Sequence, residues 1–302
     1  MIEMIKRFQI TDYIEYIVPD DQITRYLCSG MIVRDRETVF FDANLGEVET
    51  RGLLETEKPK YALISHYHLD HAYWGKYVLR SPSVELFVPS REEIYLKDLR
   101  YFLAKTGGKG GNARRWNNFV KKGVRFEGFK GFSTYDRSTK LDTGAVKMSF
   151  LSAPGHSPGH TAVHFPEEGV LFTSDLGLGP FGPWYGFEDC DIRLYIESII
   201  RLKSLKPKIL LTSHNGIFRE YIDEVFDHCI HAFFVREEAI RKKLEKGLSK
   251  EEIVEEGIYF RKKAKAQGLL KDFLTPWDTV MFDLHRAIIQ NGGLEKDFPG
   301  VK

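Results

Sequence analysis

The chemistry in this sequence is concentrated in one hexapeptide, His66-Tyr67-His68-Leu69-Asp70-His71, which puts three imidazoles and a carboxylate within six residues. On an extended strand, side chains two apart share a face. His66 and His68 can therefore point at one metal ion as a strand ends, and a turn at Leu69 swings Asp70 and His71 towards a second ion nearby. A single histidine is ordinarily a hydrogen-bonded core or surface residue. Nothing structural calls for four such groups at this spacing behind an apolar run. Nitrogen and carboxylate donors without thiolates suit Zn²⁺, so two Zn²⁺ ions are the expected cofactor, and the same donors admit Mn²⁺ or Fe²⁺.

Six residues cannot complete two coordination shells, so further ligands must come from elsewhere. Three candidates each stand just past a strand-like run. His156 lies in the turn Ala153-Pro154-Gly155-His156-Ser157, after the run from Val146 to Ser152. Asp175 follows Val170-Leu171-Phe172-Thr173-Ser174, and His214 follows Ile209-Leu210-Leu211-Thr212-Ser213. Taken alone, Asp175 reads as a turn or helix-cap aspartate. The recurrence of strand, small residue and ligand at four places reads it as a ligand.

The elements that must position these groups follow from periodicity and turn chemistry. Asp12 to Val18, Thr24 to Val33 and Thr38 to Phe41 are rich in Ile, Val, Tyr and Phe and predict strands, the last stopping at Asp42. Tyr61 to Ser65 and Val84 to Val88 are short apolar runs of the kind that form buried strands. Helices are expected over Val48–Glu55, Arg91–Lys105 and Asp191–Ser204, and a mobile glycine-rich loop over Thr106–Asn112. Strand signals return from Val146 to Phe172 and over Lys208–Thr212. Beyond about Phe218 they vanish, and Tyr221 to Asn291 reads as charged helices broken near Gly247, Gly268 and Pro276. Ser249 and Glu252 form a capping box for one of them. This divides the chain into residues 1–220, carrying the chemistry, and a helical extension, residues 221–302.

The four ligand-bearing segments resemble, in order, those of the metallo-β-lactamase superfamily, over roughly residues 12–218. The resemblance implies an α+β fold, an αββα sandwich with metals at one edge of the two sheets and a C-terminal helical region. It assigns His66, His68 and His156 to the first metal, Asp70, His71 and His214 to the second, and Asp175 to both. Asp42 resembles an early aspartate of that family, which supports the site without ligating. Read independently, His160, Ala162 and His164 alternate with Thr161, Val163 and Phe165, so His160 starts a strand and is expected to hydrogen-bond a ligand. His164, His228, His231 and His285 are read as structural or surface residues.

Two cations sharing a water lower its pKa enough to supply hydroxide near neutral pH, and they polarise a substrate oxygen. The expected activity is therefore hydrolysis by a metal-bridging hydroxide, with Asp70 both binding metal and orienting the nucleophile. No Ser or Cys triad is evident. The C-terminal helices, with Val280-Met281-Phe282-Asp283-Leu284-His285-Arg286, resemble the extension of a hydrolase subgroup that includes thioesterases, which favours a thioester or another small acyl ester. Against a direct match to hydroxyacylglutathione hydrolases, Ala72-Tyr73-Trp74-Gly75 stands where those carry Ala-Gly-Gly after the aspartate-histidine pair.

A phosphodiesterase or ribonuclease is the alternative, because Lys105, Lys109, Arg114, Arg115, Lys121, Lys122 and Arg125 accompany Trp116 and Phe119 and would suit phosphates and stacked bases. The same stretch also reads as a solvated amphipathic helix. A mononuclear-iron redox enzyme and a non-catalytic binding module complete the alternatives. Bulk properties exclude little: 302 residues, net charge +1, 42% hydrophobic and 29% charged residues describe an ordinary globular chain with no nucleic-acid bias. Cys28, Cys190 and Cys229 are too scattered for a disulfide framework or a thiolate zinc site. With no signal core and no apolar run that spans a bilayer, a cytoplasmic protein off the membrane is expected.

Overall fold

The computed structural model describes residues 5–20, 26–108, 110–179, 181–259 and 269–301. Strands β1 (Ile5–Gln9), β2 (Ile14–Pro19), β3 (Gly30–Arg34), β4 (Thr38–Phe41), β5 (Tyr61–Leu63), β6 (Glu85–Pro89) and β7 (Ser133–Tyr135) form one sheet in that order. It is antiparallel through β4 and parallel from β4 to β7. The second sheet runs β8 (Ser149–Ser152), β9 (Thr161–Phe165), β10 (Val170–Phe172), β11 (Ile209–Leu211) and β12 (Ile217–Phe218), with β10 and β11 parallel.

Strand alternation sorts the core into two layers. Val39, Phe41, Leu63 and Phe87 meet Phe150, Val163, Phe172 and Leu211 between the sheets. The intervening Phe40, Ala62, Ile64, Leu86, Leu171 and Leu210 face outward into helices. Those helices are α1 (Glu47–Glu57), α2 (Leu69–Ala72), α3 (Gly75–Val78), α4 (Glu93–Lys97), α5 (Leu99–Thr106), α6 (Gly110–Asn118) and α7 (Ile192–Lys203). The chain is the expected αββα sandwich. Its C-terminal part adds α8 (Ile222–Glu245), α9 (Lys250–Glu256), α10 (Leu269–Gln290) and α11 (Leu294–Asp297), and Phe226, Ile230, Phe233 and Phe282 join the same core as α7. Among the described residues no helix is long and apolar enough to cross a membrane.

Several local expectations change. β1 is an additional edge strand; its charged face hid it, and Arg7 pairs with Glu15 and Glu57. The strand expected from Thr24 starts at Gly30, and residues 21–25 lie outside the described residues. The single helix over Arg91–Lys105 is split, because Asp98 accepts the backbone N–H groups of Arg100 (2.8 Å) and Tyr101 (3.3 Å) and caps a new helix. The glycine-rich segment is not a loop throughout: α6 begins at Gly110 and is followed by a π-helical turn, Phe119–Val124. Pro276 does not break α10, whose Phe273, Leu274, Met281 and Phe282 are buried on either side of it. Tertiary burial outweighs the lost backbone bond. The capping box of Ser249 and Glu252 is present, and the break expected at Gly268 lies outside the described residues.

Phe172 is fully buried between the sheets, one strand-end away from Asp175. Phe172→Ala should destabilise the protein by about 3–5 kcal/mol, read as a drop in the urea midpoint. A loss well under ~1 kcal/mol would mean that the inter-sheet layer is not packed as described.

Candidate metal centre

The parallel strands set the spacing of the site. His66, Asp175 and His214 each stand three residues beyond the last residue of β5, β10 and β11, and His156 four beyond that of β8. Side chains at the carboxyl ends of neighbouring parallel strands converge on one edge. His68 caps the start of α2, whose first turn carries Asp70 and His71 back over that edge. Gly155 brings the chain into His156 at φ 130°, a backbone state that favours glycine. A Cβ there would lie 2.3 Å from the Tyr195 backbone of α7, so no other residue fits.

Two groups result. His66, His68, His156 and Asp175 offer ligand atoms within 4.8 Å of one another, and so do Asp70, His71, Asp175 and His214. Asp175 belongs to both. His156 Nε2 lies 3.2 Å from His66 Nε2 and 3.4 Å from an Asp175 oxygen. Tetrahedral zinc with bonds of about 2.0–2.1 Å would space its ligands by about 3.3 Å, so these contacts fit a metal cradle. His214 Nε2 is 3.0 Å from Asp70 and 3.8 Å from Asp175. His68 Nε2 and His71 Nε2 are buried without a hydrogen-bond partner, a costly arrangement that a cation would relieve.

Surrounding groups fix which nitrogen faces the cradle. His156 donates from Nδ1 to the Trp184 carbonyl at 3.0 Å, leaving Nε2 as the free acceptor. His71 Nδ1 sits 2.9 Å from Asp42 Oδ2, and His66 Nδ1 2.9 Å from Ser65 Oγ. Asp42 also accepts the Ser65 backbone N–H at 2.8 Å and the Ser174 hydroxyl at 2.9 Å. His160 donates from Nδ1 to the Ala153 carbonyl and accepts the Asp175 backbone N–H, each at 3.2 Å. It thus touches a ligand-bearing residue without joining either group.

Burial pushes the imidazoles of His66, His68 and His160 well below their ordinary range and lowers His156. Burial also opposes charge on His71 and His214, but Cys28, Asp42 and Asp70 raise the first, and Asp175 and Asp70 raise the second. Asp70 is held low despite its burial, by His71 and His214. The carboxylates around the second group therefore favour positive charge there.

The basic segment fits its reading as an amphipathic helix better than its reading as a base-stacking platform. Trp116 turns into the core, donating to Thr106 Oγ1 at 2.7 Å, and Phe119 packs on Tyr26 and Phe273. Trp116 is buried and Phe119 half-buried in this packing. Arg114 and Arg115 are exposed on α6, and Lys109 lies outside the described residues. His285 is buried against the Tyr185 hydroxyl at 2.8 Å.

Sequence reasoning missed three supports. Ser65 and Ser174 were visible only as small residues before ligands, and their hydroxyls bond each other at 2.6 Å. Asn44 donates to the carbonyls of Tyr26 (3.0 Å) and Asp70 (2.6 Å). Glu92, fully buried, accepts the Ser157 hydroxyl and the Gly159 N–H (2.8 Å) and so braces the turn that carries His156. Its partners lie more than sixty residues onward, so no local pattern betrays it.

A cradle of histidines and aspartates that could hold metal, at the joined edge of an αββα sandwich, defines a hydrolase-type fold with a candidate metal centre. The chain belongs to the metallo-beta-lactamase superfamily, whose family model matches residues 29–214, more than half of its length. Among solved structures, it is similar to a beta-lactamase domain protein from Burkholderia ambifaria, with 17% identity, TM-score 0.72, and 95% of this chain and 89% of that one covered. A metallo-beta-lactamase family protein from Thermus thermophilus matches at 19% identity and TM-score 0.62, covering 88% and 89%. An archaeal superfamily protein from Sulfolobus tokodaii matches at 18% and 0.54, covering 87% and 93%. At such identities these three share the fold.

Burial pushes the Glu92 carboxyl up to about 8, from an ordinary value of 4.5. The unfolded chain ionises this group first, so between those values unfolding releases a proton and stability falls as pH rises. Glu92→Gln, which mimics the neutral acid, should flatten stability between about pH 5 and 8 relative to wild type, as followed by urea melts. Parallel curves would show that Glu92 is ionised in the folded protein.

Proposed function

We propose that this protein is a binuclear metal-dependent hydrolase acting on a thioester or another small acyl ester, with zinc as its metal. The observation that carries this reading is the sharing of Asp175 between two ligand groups. In it His66, His68 and His156 hold one ion, Asp70, His71 and His214 the other, and Asp175 bridges them. Bound there, the ion pair would supply a water of lowered pKa and a Lewis acid for the substrate oxygen. Asp70, held as a carboxylate beside His214, would bind metal and orient that water. His66, His68 and His156, kept neutral by burial, need lose no proton to bind metal, whereas His71 and His214, raised by their neighbours, would give one up. We place residues 221–302 as an extension supporting this site, and the protein, with its three buried free cysteines, in the cytoplasm.

Two observations favour an acyl substrate over a phosphodiester. Trp184 and Phe187 stand edge-on to His68, with ring centroids 5.4 and 5.0 Å away, giving the first group an apolar wall. Trp116 and Phe119, the rings a nuclease would use for stacking, are committed to packing. A mononuclear-iron enzyme would leave the second group without a role.

The test is a turnover panel on zinc-loaded protein: thioesters, lactones, bis(p-nitrophenyl) phosphate and RNA. Acyl substrates should be cleaved, cleavage should stop on chelation, and Arg114→Ala with Arg115→Ala should change KM modestly with little salt dependence. RNA cleavage with a log–log salt slope of about −0.7 per phosphate, flattened in that double variant, would replace this reading with the phosphodiesterase one.

A further inference from the structure

Arg236 lies on α8, outside the residues matched by the family model, yet it is only 6% exposed. Its guanidinium is directed at the loop that follows Asp175. Nη1 donates to the Pro183 carbonyl and Nη2 to the Phe181 carbonyl at 2.7 Å. The rings of Tyr185 and Tyr259 lie 5.3 and 5.2 Å from its Cζ, within cation–π range. Between the two clamped carbonyls, Gly182 adopts φ 69°, which lets the chain curl around the guanidinium. A Cβ there would stand 3.0 Å from Ala232 and 3.4 Å from Arg236 Nη2.

The residue after Pro183 is Trp184, whose carbonyl accepts the Nδ1–H of His156. This hydrogen bond places the His156 proton on Nδ1 and turns Nε2 towards His66 and Asp175. The path from the C-terminal helix to the first ligand group is therefore short: a guanidinium, one clamped peptide, the next carbonyl, an imidazole. Cys190 holds the far end of the same loop to the His156 carbonyl at 3.1 Å.

We propose that Arg236 is a positioning residue for the first metal ion, setting its affinity by holding the Trp184 carbonyl against His156. This role rests on the metal reading above. It makes the helical extension part of the cradle's outer support, since the side chain that locks the loop comes from α8. Partners that orient a ligating histidine are worth about 10–100-fold in metal affinity when removed.

The experiment is a zinc titration of the full chain against a chromophoric chelator, with occupancy of each group followed through imidazole ¹H–¹⁵N signals. Wild type, Arg236→Gln and Arg236→Lys are compared. In Arg236→Gln the first ion should bind about 10–100-fold more weakly while the second keeps its affinity. Solvent exchange of the His156 Nδ1 proton should speed up, and that of the His160 Nδ1 proton, bonded to Ala153, should not. Arg236→Lys, which keeps the charge but reaches fewer carbonyls, should fall between. If Arg236→Gln does not fold, the lysine variant alone decides by the same selectivity. Equal weakening of both ions, or no weakening in a folded variant, would overturn the proposal. Failure of wild type to bind zinc would instead overturn the metal reading on which it rests.

Discussion

One buried carboxylate organises the site. Asp42 is fully buried at the end of β4, and its two oxygens take the Ser65 N–H from the end of β5, the Ser174 hydroxyl from the end of β10 and the His71 ring from α2. β4 and β5 belong to one sheet and β10 to the other. The same group that ties the two sheets together at their edge thus also aims a second-group imidazole. Burying a carboxylate is costly unless it is fully paired, and here each partner is part of a ligand-bearing segment. Asp42 itself sits at φ 47° and Ser174 at φ 51°, left-handed states that persist because the surrounding contacts over-determine them.

Around that anchor the cradle is preorganised by short-range contacts to backbone. Ala153, Trp184 and the Asp175 N–H hold His160 and His156, while Asn44 holds the Asp70 carbonyl. Glu92 braces the turn between them through Ser157 and Gly159. Fixed tautomers and bare Nε2 atoms leave the imidazoles little to reorganise when a cation arrives, which is how a rigid scaffold raises affinity. The aromatic packing of Trp184, Phe187, Trp116 and Phe273 excludes water from one flank and continues into α10.

Much of this was legible in the sequence because strand ends are local. The apolar runs before His66, Asp175 and His214 are three-residue strands whose ligands follow at a constant interval, so residue type and position carried the message together. The fold class came from the family resemblance that those segments carry when taken in order. What the sequence hid depends on distance or on tertiary choice. Glu92 and Arg236 act through partners far along the chain. β1 is polar because it is an edge, and Pro276 is tolerated because its helix is buried on both sides of it. Trp116 looked like a stacking platform beside arginines, and only burial shows that it belongs to the core.

The central claim is that two ligand groups share Asp175 and hold two ions. Anomalous diffraction at the zinc edge from zinc-loaded crystals tests it directly. Two peaks about 3.5–4 Å apart are expected, one among the Nε2 atoms of His66, His68 and His156, the other among His71, His214 and Asp70, with Asp175 between. A single peak, or peaks away from these side chains, would contradict it.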